Sequence, residues 1–123
     1  MKKAIEMALI LNCDIPKVVM FDRKNYYYPD LPKGYQITQN TNPIGINGKL
    51  VIEVDGKEKV IDILDIHLEE DSASLDHYSY STLIDYNRAG VPLLETVTAP
   101  CINSSSEAVA FIDTMKNIFR YMY

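Results

Sequence analysis

In the run Asp65-Ile66-His67-Leu68-Glu69-Glu70-Asp71, carboxylates and one imidazole alternate with aliphatic side chains. Alternate residues of an extended strand face the same way, so Asp65, His67, Glu69 and Asp71 are expected on one face and Leu64, Ile66 and Leu68 on the other. Three carboxylates and an imidazole in one row repel unless they are solvated or neutralised by a cation. Hard oxygen donors suit Mg²⁺, which takes one or two carboxylates and leaves the rest of its shell to water and substrate phosphates. The competing reading is the solvent-facing acidic side of an edge strand, and spacing alone leaves both open.

Two further segments have the residue types for chemistry. In Asp85-Tyr86-Asn87-Arg88-Ala89-Gly90-Val91-Pro92-Leu93-Leu94-Glu95, Arg88 is able to grip a phosphate or carboxylate with two hydrogen bonds. An ordinary hairpin, with Asn87 and Gly90 serving the turn and Glu95 exposed, explains the same residues. The segment Phe21-Asp22-Arg23-Lys24-Asn25-Tyr26-Tyr27-Tyr28-Pro29-Asp30-Leu31-Pro32-Lys33-Gly34-Tyr35-Gln36 interleaves cations with tyrosines along a path stiffened by Pro29 and Pro32. Aromatic rings beside cations stack bases or hold a nucleic-acid end; tyrosines packing a long loop onto a sheet read the same way.

Other chemistries are excluded more firmly. The sequence has no G-x-x-x-x-G-K-[ST], G-x-G-x-x-G, H-E-x-x-H or C-x-x-C motif. Cys13 and Cys101 lie too far apart in sequence to share a metal-ligand motif and are expected as small buried hydrophobes. Ser104-Ser105-Ser106 is better explained as a helix cap than as a nucleophile. The formal net charge of −5 argues against an autonomous nucleic-acid binder, which normally carries a basic face. No run approaches the roughly 18 apolar residues of a membrane span, and the start lacks a signal-peptide pattern.

The elements that must position these residues are legible in outline. The 123 residues suit one domain. Ala4 to Leu11 reads as a helix ended by Asn12 and Pro16, with the element near 3–12. Ser104 and Glu107 form a capping box for a second helix near 105–122, whose apolar stripe is Phe111, Ile112, Met115, Ile118, Phe119 and Met122. Between them, 50–54 and 60–67 flank Asp55-Gly56, a strong hairpin signal. A second hairpin is expected from 82–86 and 91–97, joined by 87–90. Strands gathered between helices predict an α+β domain with a mainly antiparallel sheet. Lys2 and Lys3 at an uncapped helix start, and an apolar run to Tyr123, read as a domain truncated at both ends.

Taken in order, Phe21-Asp22-Arg23-Lys24-Asn25-Tyr26, Tyr28-Pro29-Asp30-Leu31-Pro32-Lys33-Gly34-Tyr35-Gln36-Ile37, His67-Leu68-Glu69-Glu70-Asp71 and Asp85 through Glu95 resemble the B subunit of the aspartyl/glutamyl-tRNA amidotransferases. Lys3-Ala4-Ile5, Leu11-Asn12-Cys13 and the helix after Pro100 fit the same family, so the resemblance covers nearly the whole chain.

The resemblance implies that residues 1–123 are part of the N-terminal cradle domain of that protein, similar to the catalytic domain of glutamine synthetase. It implies ATP-dependent phosphorylation of the side-chain carboxylate of glutamate or aspartate misacylated onto tRNA. Ammonia released by the amidase (A) subunit then displaces phosphate, and a small C subunit wraps the pair. Mg²⁺ is the implied cofactor, with Glu69 and Glu95 as first choices for ligands, then Glu70 and His67. Arg88 is the implied contact to nucleotide phosphate, and Lys33 and Tyr35 would line the nucleotide or acceptor-end path. The family's upstream segment carrying Glu and His, which completes the metal site, is not in this sequence, so the isolated chain is expected to be inactive. The run 71–81 lacks the glycines expected there. The resemblance implies a cytoplasmic protein, with an organelle as the alternative, and no membrane partner. A tRNA-binding or amidase-docking module without catalysis is the competing reading.

Overall fold

The computed structural model describes residues 1–122. In chain order it contains α1 (Lys2–Ile10), β1 (Asp22–Asn25), β2 (Tyr35–Thr38), β3 (Gly45–Val54), β4 (Lys57–Glu70), β5 (Ser74–His77), β6 (Thr82–Asp85), β7 (Pro92–Thr98) and α2 (Ser105–Met122). The expected α+β class and both helices are present, and every strand pairing is antiparallel.

The central sheet has the order β3-β4-β7. Its β3–β4 hairpin turns at Asp55-Gly56, both with positive φ (51° and 72°). That geometry matches the twist of the flanking strands, and Asp-Gly adopts it readily. The second expected hairpin does not form. Residues 82–85 pair with β5, and 92–98 return to pair with β4. The turn chemistry of 87–90 is real, with Ala89 and Val91 donating to Tyr86 and Arg88 carbonyls. β4, however, is 14 residues long and offers a full edge to β7, so the longer ladder prevails over the local one.

Both helices contribute to a single core with the central sheet. Ala4, Met7 and Ala8 of α1 and Met115 of α2 meet Leu50, Ile52, Ile61, Ile63 and Ile66. Fully burying a side chain such as Ile63 contributes about 1.5–3 kcal/mol. α2 begins as its capping box requires: Glu107 N–H donates to Ser104 Oγ at 3.2 Å, and Asn103 N–H donates to Glu107 Oε2 at 2.7 Å. Lys59 adds an ion pair to Glu107 at 2.6 Å. Lys3 of α1 donates to the carbonyl of Met122, joining the start of one helix to the end of the other. Cys13 is buried and Cys101 half-buried, and both are free. Burial pushes the Cys13 thiol's pKa up, with Asp14 and Asp65 adding to the effect, which keeps it protonated and unreactive.

Candidate metal centre and its cleft

Inward-facing residues of β4 start at odd positions, with Ile61 and Ile63 both buried. Continued alternation would drive Asp65, His67 and Glu69 into the core. A bulge between Ile63 and Asp65, seen in the ladder to β7, prevents this. One extra residue in a strand reverses which face its following side chains take. Leu64 is the extra residue and is 52% exposed, Ile66 takes over the core position, and Leu68 packs against the core. Leu64 therefore does not share the inward face with Ile66 and Leu68, which corrects the expectation from simple alternation. Asp65, His67 and Glu69 face the other way, onto an open cleft of about 810 Å³.

β7 adds the next functional group. His67 is the register partner of Glu95, and the two, with Glu69, bring three possible ligand atoms within 4.8 Å of one another. His67 Nε2 lies 3.7 Å from Glu69 Oε2 and 3.9 Å from Glu95 Oε1. On the other side of the ring, Nδ1 is 2.6 Å from Asp65 Oδ1. With the proton assigned to Nδ1, this bond leaves the Nε2 lone pair facing the carboxylates, the arrangement that orients histidine as a ligand. The side chains of His67 and Glu69 are only 12% and 11% exposed, whereas Glu95 is 48% exposed at the cleft mouth. Burial pushes the Glu69 carboxyl above the ordinary range, and the Glu95 charge and a hydrogen bond from Glu69 to Glu95 push further; His67 and Lys24 oppose the shift. Two carboxyls converging beside an imidazole lone pair are a ready donor set for a divalent cation.

The remaining expected site residues lie elsewhere. Glu70, one position on from Glu69, takes the opposite strand face: its carboxylate accepts from Lys33 Nζ at 2.6 Å and from Ile37 N–H at 3.0 Å. These bonds, Lys33 first, pull its pKa down. Glu70 is thereby a brace between β4 and β2, apart from the His67 cluster. Tyr35 is held between cations, with Arg23 5.0 Å and Lys33 4.7 Å from its ring centroid. β4 ends at Glu70, so Asp71 leaves the expected acidic row; it pairs with Arg88 at 3.4 Å. Arg88 also donates to the Ser72 carbonyl at 3.1 Å, fixing the loop after β4.

The cleft wall facing the carboxylates is built by residues that the sequence did not single out for it. The segment 21–36, read as an extended loop, instead contributes a ribbon of β1 against β2 with Arg23 opposite Ile37 and Lys24 opposite Gln36. Arg23, Lys24 and Gln39 all line the cleft. The interleaved cations were the available signal for Arg23 and Lys24; Gln39 has none, since a lone glutamine after a strand is unremarkable in sequence.

A fold and site of this kind define a domain that gathers carboxylates and cations around one polar cleft. The family described as GatB/GatE catalytic domain matches residues 1–123, and the chain belongs to it. It is 53% identical over 120 residues to the B subunit of an aspartyl/glutamyl-tRNA(Asn/Gln) amidotransferase from Mycoplasma mobile, covering 98% of this chain and 25% of that protein. Proteins of the same name from Bacillus cereus and Bdellovibrio bacteriovorus are 50% and 48% identical, over 96% and 97% of this chain and 25% of each relative. The chain thus spans about a quarter of the length of these curated relatives. Among the described residues, no helix is long and apolar enough to cross a membrane.

Proposed function

We propose that this chain supplies the metal-binding wall of an ATP-dependent site that activates the side-chain carboxylate of glutamate or aspartate carried on tRNA. The observation that carries this reading is the His67–Glu69–Glu95 cluster lining a cleft that Arg23 and Lys24 also line. Carboxylates alone suit a cation and cations alone suit an anion. Both on one cleft suit a metal–polyphosphate complex.

Glu69 and Glu95 would hold Mg²⁺ by oxygen and His67 by Nε2, with Asp65 fixing the imidazole; bound there, the cation supplies charge neutralisation for phosphoryl transfer. Arg23 and Lys24, which line the same cleft, would reach phosphate oxygens there. A carboxylate oxygen of the aminoacyl group attacks the terminal phosphorus, the bond to ADP breaks, and an acyl phosphate results. Ammonia then attacks the acyl carbon, phosphate leaves, a proton is lost, and the amide remains. The ammonia comes from an amidase (A) subunit, and a small C subunit completes the assembly; both belong to the reading of the longer protein. The names of the relatives support the substrate class, and the cytoplasm is the compartment in this reading.

The test is Glu69→Gln and Glu95→Gln in the full-length protein, with Glu53→Gln, on the exposed face of β3, as control. Each cleft substitution keeps shape and removes the charge that holds the cation. Phosphorylation of the misacylated tRNA should fall roughly a thousandfold or more, an effect of several kcal/mol on the barrier. Near-normal ATP-dependent amidation by both variants would reduce the acidic row to a polar face of β4 with no essential metal.

A further inference from the structure

Gln39 is polar, only 3% exposed, and lies directly after β2 on the cleft wall. Its carboxamide has one end tied down. Leu68 lies beyond the last β3 partner in the ladder, Gly45 opposite Ile66, so its N–H has no strand acceptor. Gln39 Oε1 takes that hydrogen bond at 2.9 Å. The bond settles which end of the carboxamide is oxygen. It also places Nε2 beside the backbone between His67 and Glu69, two residues of the cluster. Among the described residues, nothing accepts from Nε2. A buried amide donor left unpaired is destabilising, and native structures rarely keep one without a use.

We propose that Gln39 Nε2 is a substrate-binding donor, which hydrogen-bonds an anionic oxygen of the ligand seated against the His67–Glu69–Glu95 cluster. This rests on the function proposed above and extends it to a residue outside the metal centre. The surroundings favour an anion: Arg23 and Lys24 share the wall, and a cation held by the cluster would draw oxyanions to the same place. The terminal torsion of glutamine is soft. A small turn about it is enough to re-aim Nε2 at a ligand oxygen. The oxygen has two possible sources, a nucleotide phosphate or the aminoacyl carboxylate, which share the same acceptor chemistry.

Two variants of the full-length protein in its assembled complex separate the roles of the carboxamide. Gln39→Glu keeps an oxygen for Leu68 N–H and removes the NH₂. Gln39→Met removes both. Equilibrium dialysis with Mg²⁺ and a non-hydrolysable ATP analogue reads the phosphate arm, and KM for misacylated tRNA reads the carboxylate arm. Both variants should weaken one arm about 10- to 100-fold, as loss of a hydrogen bond to a charged group does. Gln39→Glu should be the weaker binder, because it sets a carboxylate against the anion. A rise in the nucleotide Kd assigns the phosphate, and a rise in the tRNA KM assigns the carboxylate. Both arms within twofold of wild type for both variants would overturn the proposal, even if Gln39→Met lowers the melting temperature, since that is the mark of a purely structural amide. Loss of activity in Glu69→Gln with unchanged Gln39 variants sinks only this inference. Full activity in Glu69→Gln and Glu95→Gln sinks the proposed function, while the dialysis arm still reads Gln39 directly.

Discussion

Glu95 stands directly across the ladder from His67, and its Oε1 lies 3.9 Å from the imidazole Nε2. The pairing exists because β7 bypasses β6 and docks on the long edge of β4. One strand therefore contributes Asp65, His67 and Glu69, and its neighbour closes the set with a carboxylate from a distant part of the chain. Cation affinity should depend on both carboxyls of this set being ionised. Because burial and Glu95 hold the Glu69 carboxyl above its ordinary range, Glu69 competes for a proton at a pH where exposed carboxylates no longer do. Binding of Mn²⁺ as a spectroscopic stand-in for Mg²⁺, followed by titration calorimetry, should weaken as pH falls and should do so above the ordinary carboxylate range. It should also release protons into the buffer. A flat profile down to pH ~4.5 would separate Glu69 from cation binding.

The same shift predicts the metal-free stability of the chain. A carboxyl whose folded pKa lies above its unfolded value binds more protons when folded, so stability declines as pH rises through the window between the two values. Glu69→Gln removes that penalty. The variant should melt above wild type at neutral pH, and the gain should vanish in acid. Calorimetry at two pH values checks it. A variant that is less stable at neutral pH would mean that the Glu69 charge is well compensated in the folded state.

Gly48 carries a different prediction, about how α1 and its following turn seat on β3. A Cβ added there would lie 2.4 Å from Cys13 Sγ, 2.8 Å from the Leu11 carbonyl oxygen and 3.1 Å from Ile63 Cβ. Backbone cannot yield as a flexible side chain does, so Gly48→Ala should cost about 3 kcal/mol, the upper range of overpacking. Gly56→Ala meets nothing within 4 Å but keeps a φ of +72°, and should cost only about 1–2 kcal/mol. Urea melts of the two variants give the comparison; equal losses would show that space near Cys13 is not the limiting factor.

The legible parts of this molecule are the local ones. Asp55-Gly56 specifies its own turn and Ser104 with Glu107 specifies a helix start, so both appear where the sequence puts them. Alternation also places Asp65, His67 and Glu69 together, because they lie on one side of the bulge. It cannot place Leu64, since a bulge is decided by the partner strand, nor Glu95, whose partner is non-local. Glu70 enters the ligand set through family resemblance, although its parity in the strand already sets it opposite to Glu69. Arg88 and Lys33 are expected at the nucleotide from the sequence and the resemblance, but their ion pairs to Asp71 and Glu70 depend on loops that no local pattern reveals.

Those ion pairs lead to a choice between cations for the phosphate. Lys33 is engaged by Glu70 and Arg88 by Asp71 and the Ser72 carbonyl, and neither is on the wall of the cleft. Arg23 and Lys24 are on that wall, and their contacts to Tyr35 and Tyr26 are cation–π contacts, which hold the side chains without neutralising them. In the full-length protein, Arg23→Ala and Lys24→Ala should each weaken binding of Mg²⁺ with a non-hydrolysable ATP analogue about tenfold or more, the scale of one charged hydrogen bond. The effect should shrink as ionic strength rises. Arg88→Ala should leave that affinity within about twofold and instead loosen the loop between β4 and β5, read as faster amide exchange at Ser72 and Ala73. Equilibrium dialysis across all three variants decides the matter. A tenfold loss in Arg88→Ala with unchanged Arg23→Ala and Lys24→Ala would give the phosphate contact to Arg88 and leave the basic wall of the cleft without a ligand.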